Sequence, residues 1–194
     1  MFSHHEISQR RPFRSLYTKD GQRKYLSEKE RSRFIGHAKQ QPRQVRLLCL
    51  VLALSGCRLS EALNLTKEDV LEIECAILIR TLKKRDKIIY RQIPLPAGLI
   101  YDLRRLGQKR NGRLFLWQRT QALQHIKRVM KLAAVDGVRA TARGLRHTFG
   151  VHGILRGIPL TLLQRWFGHA SIETTAIYTQ VLGPEEREIA KKMW

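Results

Sequence analysis

A short β-rich segment inside an otherwise helical sequence limits what this chain can fold into. The runs 76–79 and 87–93 are rich in β-branched residues, and the charged stretch 83–86 between them predicts a hairpin with a basic tip. Pro94 and Pro96 end the second run, because proline cannot donate a ladder hydrogen bond. Helical patterns cover most of the remainder, at about 27–40, 45–54, 59–65, 97–107, 118–133, 144–156, 159–167 and 171–181. The sequence therefore predicts a mainly α fold with a small antiparallel β-sheet, an α+β architecture.

Local signals define the first two helices. Ser27 and Glu30 form a capping box, in which each side chain satisfies a free amide at the helix start. The run 45–54 is apolar on most sides and is followed by Gly56, so we expect its helix to lie at the centre of the core. The stretch 66–69 carries capping chemistry and opens a further turn.

The charge balance indicates a polyanionic partner. Lys and Arg number 37 against 16 for Asp and Glu, which gives a net charge of +21. Such a surface attracts a phosphate backbone and releases its condensed counterions, so nucleic acid is the leading partner class. A basic structural protein, such as a ribosomal protein, is the alternative. Residues 1–24 are polar and basic without periodicity, which predicts a flexible arm that follows phosphates, with Arg11 and Arg14 among its contacts, or a terminus without a role.

The remaining composition favours a soluble protein with its own core. Hydrophobic residues make up 43% of the chain, which is enough for a packed interior. The three cysteines form no CxxC pair and are too few for a disulfide framework, as expected in a reducing cytosol. The longest apolar stretch, 47–54, is far shorter than a membrane span, and the N-terminus has no signal-peptide core. We predict a cytoplasmic protein without a membrane partner.

Before position 90, two groups of polar residues are poorly explained by folding alone. Arg58 follows the glycine turn after the most apolar helix, and Glu61, three residues on, can hold its guanidinium. A structural Arg–Glu pair is an equally good interpretation of these two residues. A lysine at the hairpin tip can enter a groove and give a proton to a leaving oxygen, although a solvated charged turn is the simpler interpretation.

Two further groups lie near the C-terminus. Arg143 and Arg146 are three apart, so they share one face at a helix start, where free amides and the dipole also favour phosphate. His169 follows a helix that ends at Gly168, and Tyr178 lies in the next predicted helix. Taken separately, a histidine or a tyrosine is more often a packed core residue than a catalytic one.

Together the four groups resemble a known family. The strings GCRLSEALNL, GLRHTFG and LLQRWFGHASIETTAIY are similar to the signature boxes of the tyrosine recombinase (phage integrase) family. Arg146 and His169 are 23 residues apart, and His169 and Tyr178 are nine apart, as in that family. The resemblance covers about residues 25–182, so it implies that nearly all of the ordered chain is a recombinase catalytic domain.

The resemblance implies a site-specific recombinase that cleaves and rejoins DNA through a 3′-phosphotyrosyl bond to Tyr178, without metal or cofactor. Arg58 and Arg146 clamp the scissile phosphate, His169 donates a hydrogen bond to it, and a hairpin lysine, Lys83 with Lys84 and Lys87 as alternatives, protonates the 5′-oxygen. The implied catalytic residues are Arg58, Lys83, Arg143, Arg146, His169 and Tyr178. The implied DNA contacts are Arg11, Arg14, Lys84, Arg85, Lys87, His147 and Arg165.

One position departs from the family pattern. The family places a histidine three residues before the second arginine, where this chain has Arg143. Arginine keeps the charge and can bind phosphate in a bidentate manner, but its guanidinium stays protonated and cannot exchange a proton near neutral pH. Any role of that histidine as a general base is therefore absent here, or is filled by His147 or His169.

The ends of the chain allow several interpretations. Residues 1–24 are too few for the N-terminal clamp domain of most family members, so we expect either a small catalytic-domain-only recombinase or a fragment of a longer protein. The segment 183–194 is amphipathic and predicts docking on a neighbouring subunit of a tetramer on synapsed double-stranded DNA, or packing on its own core. A type IB topoisomerase-like enzyme and a non-catalytic DNA-binding accessory protein remain the alternative functions.

Overall fold

The fold is mainly helical, as predicted, with one small antiparallel sheet. A computed structural model describes residues 15–82, 88–106, 112–181, 184–191 and 193. Its helices are α1 (Glu28–Lys39), α2 (Arg43–Ser55), α3 (Leu59–Leu63), α4 (Ala97–Arg104), α5 (Arg119–Leu132), α6 (Ala142–Leu155), α7 (Leu160–Phe167), α8 (Glu173–Ala176) and α9 (Pro184–Ala190). Its strands are β1 (Val70–Leu71), β2 (Ala76–Leu82) and β3 (Ile88–Pro94). Within the described ranges, no helix is both long and apolar enough to cross a membrane.

Helix α2 is the centre of the main core, as its apolar sequence predicts. It packs against α1, α3, α4, α5 and α6, and most of its side chains are buried. Gly56 ends it in the left-handed conformation, with φ of +61°. The capping box that starts α1 is also present: the Ser27 amide donates to Glu30 Oε2 at 2.7 Å, and the Glu30 amide donates to Ser27 Oγ at 3.3 Å.

The sheet has one strand more than the sequence predicts. Strands β2 and β3 pair antiparallel from Ala76 opposite Pro94 to Leu82 opposite Ile88, and the hairpin tip at 83–87 lies outside the described residues. The added strand, β1, pairs with β2. It follows the predicted capping turn, in which the amide and hydroxyl of Thr66 both donate to Asp69. A strand of only two residues shows no detectable alternation of polar and apolar side chains, so the sequence does not predict β1.

Residues 15–24 correct the predicted boundary of the flexible arm. They double back on themselves, with Tyr17 bridging to Arg23 and the Lys24 amide donating to the Leu16 carbonyl at 2.8 Å. Leu16 is fully buried in a second hydrophobic cluster, beside Tyr25. The ordered fold therefore includes residues 15–24, because the buried Leu16 anchors an otherwise polar segment. Residues 1–14, with Arg11 and Arg14, lie outside the described residues.

The predicted helix 171–181 is interrupted. Helix α8 is followed by a 3₁₀ turn at Ile177–Thr179. The Thr179 hydroxyl donates to the Ala176 carbonyl at 2.7 Å, and such side-chain bonds compete with helical ones. Tyr178 therefore lies in a tight turn and not within a continuous helix. Helix α9 packs on α6, with Ile189 against the second cluster of the same chain, while Met193 is exposed.

Candidate active site

One cleft of about 680 Å³ collects residues from three of the four sequence groups. It lies where the start of α3, the start of α6 and the segment after α7 meet. The side chains that line it include Arg58, Arg143, Arg146, His147, His169 and Tyr178. Groups that are up to 120 positions apart in the sequence, from Arg58 to Tyr178, thus share one cavity.

Arg146 is held rigidly in the wall of this cleft. Its Nη1 donates to the Gly56 carbonyl at 2.7 Å, its Nη2 donates to the Phe167 carbonyl at 2.9 Å, and its guanidinium lies 4.5 Å from the centre of the Phe167 ring. Burial, together with the like charge of Arg58, lowers the pKa of Arg146 to about 10. Arg146 is still charged at neutral pH, so its burial and its repulsion from Arg58 both cost free energy. An anion bound between the two guanidinium groups reduces this cost.

Arg58 lies at the start of α3 and is ordered by Glu61. Its Nη1 donates to Glu61 Oε1 at 2.8 Å, and its backbone amide donates to Glu61 Oε2 at 2.7 Å, which confirms the predicted pair. The side chain of Arg58 is 44% exposed, so it faces the cleft and is not trapped in the core. Burial raises the pKa of Glu61, but Arg91 and the bonds from Arg58 outweigh burial, and the net pKa is lowered. Glu61 therefore stays ionised.

His169 begins the segment after α7, where Gly168 adopts the left-handed conformation with φ of +63°. Its Nε2 lies 3.0 Å from Nη2 of Arg146, and its Nδ1 lies 2.9 Å from the hydroxyl of Thr175, which is fully buried. Because arginine can only donate, a neutral His169 accepts at Nε2 and carries its hydrogen on Nδ1. A threonine hydroxyl both donates and accepts, so Thr175 can support either tautomer.

Tyr178 is buried at the floor of the cleft, with 1% of its surface exposed. Its ring lies over Gly150, where an added Cβ would come within 2.5 Å of a ring carbon. Phe167 stacks on the ring at a centroid distance of 5.0 Å. The Tyr178 hydroxyl lies 3.4 Å from Nδ1 of His147. The absent side chain at position 150 therefore makes room for the tyrosine.

Comparisons with known proteins decide the family. The model of the "Phage integrase family" matches residues 24–183, which is most of the chain. The chain belongs to the phage integrase family. The resemblance inferred from Arg58, Arg146, His169 and Tyr178 is thus confirmed.

Known proteins that resemble the chain include a XerA recombinase and two solved structures. The tyrosine recombinase XerA of Pyrococcus furiosus is 30% identical over 178 residues, a match that covers 87% of this chain and 61% of the relative. The XerH site-specific recombinase bound to its difH substrate has a TM-score of 0.69 at 26% identity, with 92% and 59% coverage. The catalytic domain of bacteriophage HP1 integrase has a TM-score of 0.63 at 26% identity, with 87% and 93% coverage. The chain therefore spans about three fifths of the full-length XerA.

Arg143, where this chain departs from the integrase family pattern, lines the cleft from an exposed position in the first turn of α6. Thr141 caps that helix by accepting from the Gly144 amide at 2.9 Å.

Arg165 is exposed and lines a smaller cavity of about 230 Å³ between α7 and β3, which His169 also lines. Lys83, Lys84, Arg85 and Lys87 lie outside the described residues. Among the described residues, no group of three or more His, Cys, Asp or Glu side chains is placed to hold a metal.

The structure adds residues that the sequence did not single out. Lys24 and Arg119 line the cleft. Arg91 is buried and makes an ion pair with Glu61 at 2.6 Å. A signal for Arg91 was available: it alternates with Ile93 on the core-facing side of β3, and an arginine on that face requires a buried partner. For Lys24 the only sequence signal is its place in the basic segment 1–24, and Arg119 has none, because the approach of both side chains to the cleft depends on tertiary packing.

Proposed function

We propose that this chain supplies the catalytic part of a tyrosine recombinase, which cleaves and rejoins DNA strands at specific sites through a 3′-phosphotyrosyl intermediate. The observation that carries the proposal is that Tyr178 lines the same cleft as Arg58, Arg146 and His169. Residues 25–182 form the catalytic domain in this proposal, with support from the match to nearly all of the HP1 integrase catalytic domain. The activity, substrate and partners of this chain are all part of the proposal, because the chain spans only about three fifths of the length of the XerA relative.

Arg58 and Arg146 bind the scissile phosphate. A phosphodiester repels nucleophiles, so its non-bridging oxygens need neutralisation as charge develops. Arg146 is fixed by two carbonyls and a ring, and Arg58 by a carboxylate, so both are preorganised. His169 can donate a hydrogen bond from Nε2 to the phosphate in the tautomer in which Thr175 donates to its Nδ1, and Arg146 Nη2 then turns from Nε2 to the phosphate.

Tyr178 attacks phosphorus, which forms the phosphotyrosyl bond as the bond to the 5′-oxygen breaks. The proton of its hydroxyl must leave during attack, and Arg143 cannot accept it. His147 is the acceptor supported by the geometry, since its Nδ1 lies 3.4 Å from the hydroxyl. The role of Arg143 is then to bind phosphate from the mouth of the cleft.

The 5′-oxygen must gain a proton as it leaves. Lys83 supplies it in our proposal, with Lys84 and Lys87 as alternatives, since all three belong to the segment that joins β2 to β3. Strand β3, which follows this segment in the sequence, contacts α7, and α7 ends just before His169.

Double-stranded DNA is the proposed substrate. The net charge of +21 suits it, and XerH has been solved on its difH DNA. The DNA contacts that we propose are Arg11, Arg14, Lys84, Arg85, Lys87, His147 and Arg165, and the lining of the cleft adds Lys24 and Arg119. Each phosphate neutralised should steepen the dependence of binding on salt.

A tetramer on synapsed DNA, linked by the C-terminal segment, is a further part of the proposal. Met193 is 82% exposed and is available to a neighbour, whereas Ile189 packs on the chain's own second cluster. A truncation after Leu182 separates the two roles of the segment. Loss of cooperative assembly on DNA by a folded monomer supports docking on a neighbour, and loss of folding supports packing within the chain.

The test uses a nicked suicide duplex built on an inverted repeat sought in the DNA beside the gene, and the cleaved end of this duplex diffuses away. We expect the wild-type chain to form an adduct that survives a denaturing gel. Tyr178→Phe should bind the duplex normally and form none, while Tyr101→Phe, a change at an exposed tyrosine on α4, should behave as wild type. An adduct with the phenylalanine variant would disprove the assignment of the nucleophile. Relaxation of supercoiled DNA that lacks the repeat, without strand exchange, would favour a topoisomerase.

A further inference from the structure

Arg91 is an arginine that the proposed chemistry does not use and that the fold nevertheless buries. It lies on β3, and 3% of its side chain is exposed. Its Nη2 donates to Glu61 Oε2 at 2.6 Å, and its Nε donates to the Trp166 carbonyl at 2.7 Å. A Cβ added at Gly168 would lie 3.0 Å from its Nη1, so the backbone at the end of α7 closes over the guanidinium.

The carboxylate of Glu61 connects Arg91 to the cleft. Oε2 accepts from both Arg91 and the backbone amide of Arg58, while Oε1 accepts from the guanidinium of Arg58. Only 8% of the Glu61 side chain is exposed, so water cannot easily replace these donors. The direction in which Arg58 points is therefore set by a carboxylate whose own position is set by Arg91.

A simple stabilising ion pair does not account for this arrangement. Burying an arginine and a glutamate gives little net stability over an apolar pair of similar volume, because the desolvation of both charges opposes their attraction. Here the buried pair has a third, half-exposed member, Arg58, that lines the cleft. Arg91 itself does not line this cleft among the described residues, and of its bonded neighbours Glu61 is the one that contacts Arg58 directly.

We propose that Arg91 is a positioning residue that orients Arg58 toward the scissile phosphate through the carboxylate of Glu61, with the Trp166 carbonyl as its anchor. This inference rests on the proposed function, since it assigns Arg58 to the phosphate. Residues that orient a catalytic group from behind typically contribute about 10–100-fold in activity when removed. We expect a loss of that size in the rate of adduct formation for Arg91→Gln.

The experiment is a double-mutant cycle in single-turnover cleavage of the suicide duplex. Arg91→Gln should slow adduct formation 10–100-fold in the wild-type background and less than about threefold in the Arg58→Ala background, because it acts through Arg58. A matched control is Arg80→Gln, on the neighbouring strand β2, where Arg80 pairs with the buried Asp69 at 3.0 Å. The control should leave the rate of each parent, wild type or Arg58→Ala, unchanged.

A second substrate tests the same point chemically. A methylphosphonate at the scissile position has no negative charge to neutralise, so Arg91→Gln should cost less than about threefold on it, as should Arg58→Ala. Arg91→Lys keeps the charge and one bond to Glu61, folds more readily, and should lie between glutamine and wild type. A sulfur in place of the 5′-oxygen should not restore either variant, because leaving-group protonation is intact.

The outcomes separate the two proposals. Equal losses from Arg91→Gln in both backgrounds and on both substrates would mean that Arg91 does not act through Arg58. No loss in the glutamine and lysine variants would mean that Arg91 has no role in cleavage, and either result overturns the inference. If Arg58→Ala itself cleaves the phosphodiester normally, or if the wild type forms no adduct, the proposed function fails instead.

Discussion

Gly56→Ala is a sharp test of how the core is joined to the cleft. Gly56 has φ of +61°, where alanine costs roughly 1–2 kcal/mol. An added Cβ would also lie 2.5 Å from a Phe149 ring carbon and 2.9 Å from one of Phe167, and overpacking of this kind costs about 1–3 kcal/mol. The sum is a loss of about 2–5 kcal/mol in the free energy of unfolding. For a chain of this size each kcal/mol lowers Tm by roughly 2–4 °C.

The control is Gly21→Ala, since Gly21 has φ of +74° but nothing within 4 Å of an added Cβ. It should lose only the backbone contribution of roughly 1–2 kcal/mol, measured by urea unfolding of both variants. Because the Gly56 carbonyl holds Nη1 of Arg146, Gly56→Ala should also slow adduct formation, whereas Gly21→Ala should not. Equal stability losses in the two variants would refute the close packing of Phe149 and Phe167 on this turn.

Further predictions concern His169, the hairpin and pH. Thr175→Val removes the partner of His169 Nδ1 and should slow cleavage about 10–100-fold, whereas Thr175→Ser should retain most activity; equal rates would remove Thr175 from the site. Lys83→Ala should lose activity on an oxygen leaving group and regain it on a 5′-sulfur, and no recovery would move the general acid to another residue. Burial and neighbouring arginines lower the pKa of His152 below 6.5, so the unfolded chain binds a proton that the folded chain does not. The free energy of unfolding should therefore fall as the pH drops below about 6.5, and His152→Gln should remove that slope in urea titrations; a slope unchanged by the substitution would contradict it.

The sequence predicted the helices, the paired strands and the cleft residues because their signals are local or repeat a family pattern. Gly56, Gly168 and Pro94 end elements where their backbone preferences require. The break at Ile177–Thr179 was not predictable from periodicity, since it depends on where hydroxyls find partners. Likewise, the burial of Leu16 depends on a cluster built from distant residues, such as Tyr178. The helix break and the burial of Leu16 both depend on tertiary packing, which local sequence patterns do not encode.

Burial of Tyr178 also bears on how the site operates. With 1% of its surface exposed and its ring between Gly150 and Phe167, the tyrosine is well placed by the core but shielded from solvent. In the proposed function, the energy of DNA binding at Arg58 and Arg146 must therefore bring phosphate to the floor of the cleft or shift the 3₁₀ turn toward it. Both routes use binding energy to assemble the reacting atoms.

Peptide mapping of the DNA-linked protein tests the central claim most directly. Trypsin releases Tyr178 in the peptide 166–187, which contains no other tyrosine. After nuclease trimming of the adduct, mass spectrometry should find the residual nucleotide on this peptide and fragment ions should locate it on Tyr178. A nucleotide on Tyr17, Tyr90 or any other residue would contradict the account of the cleft.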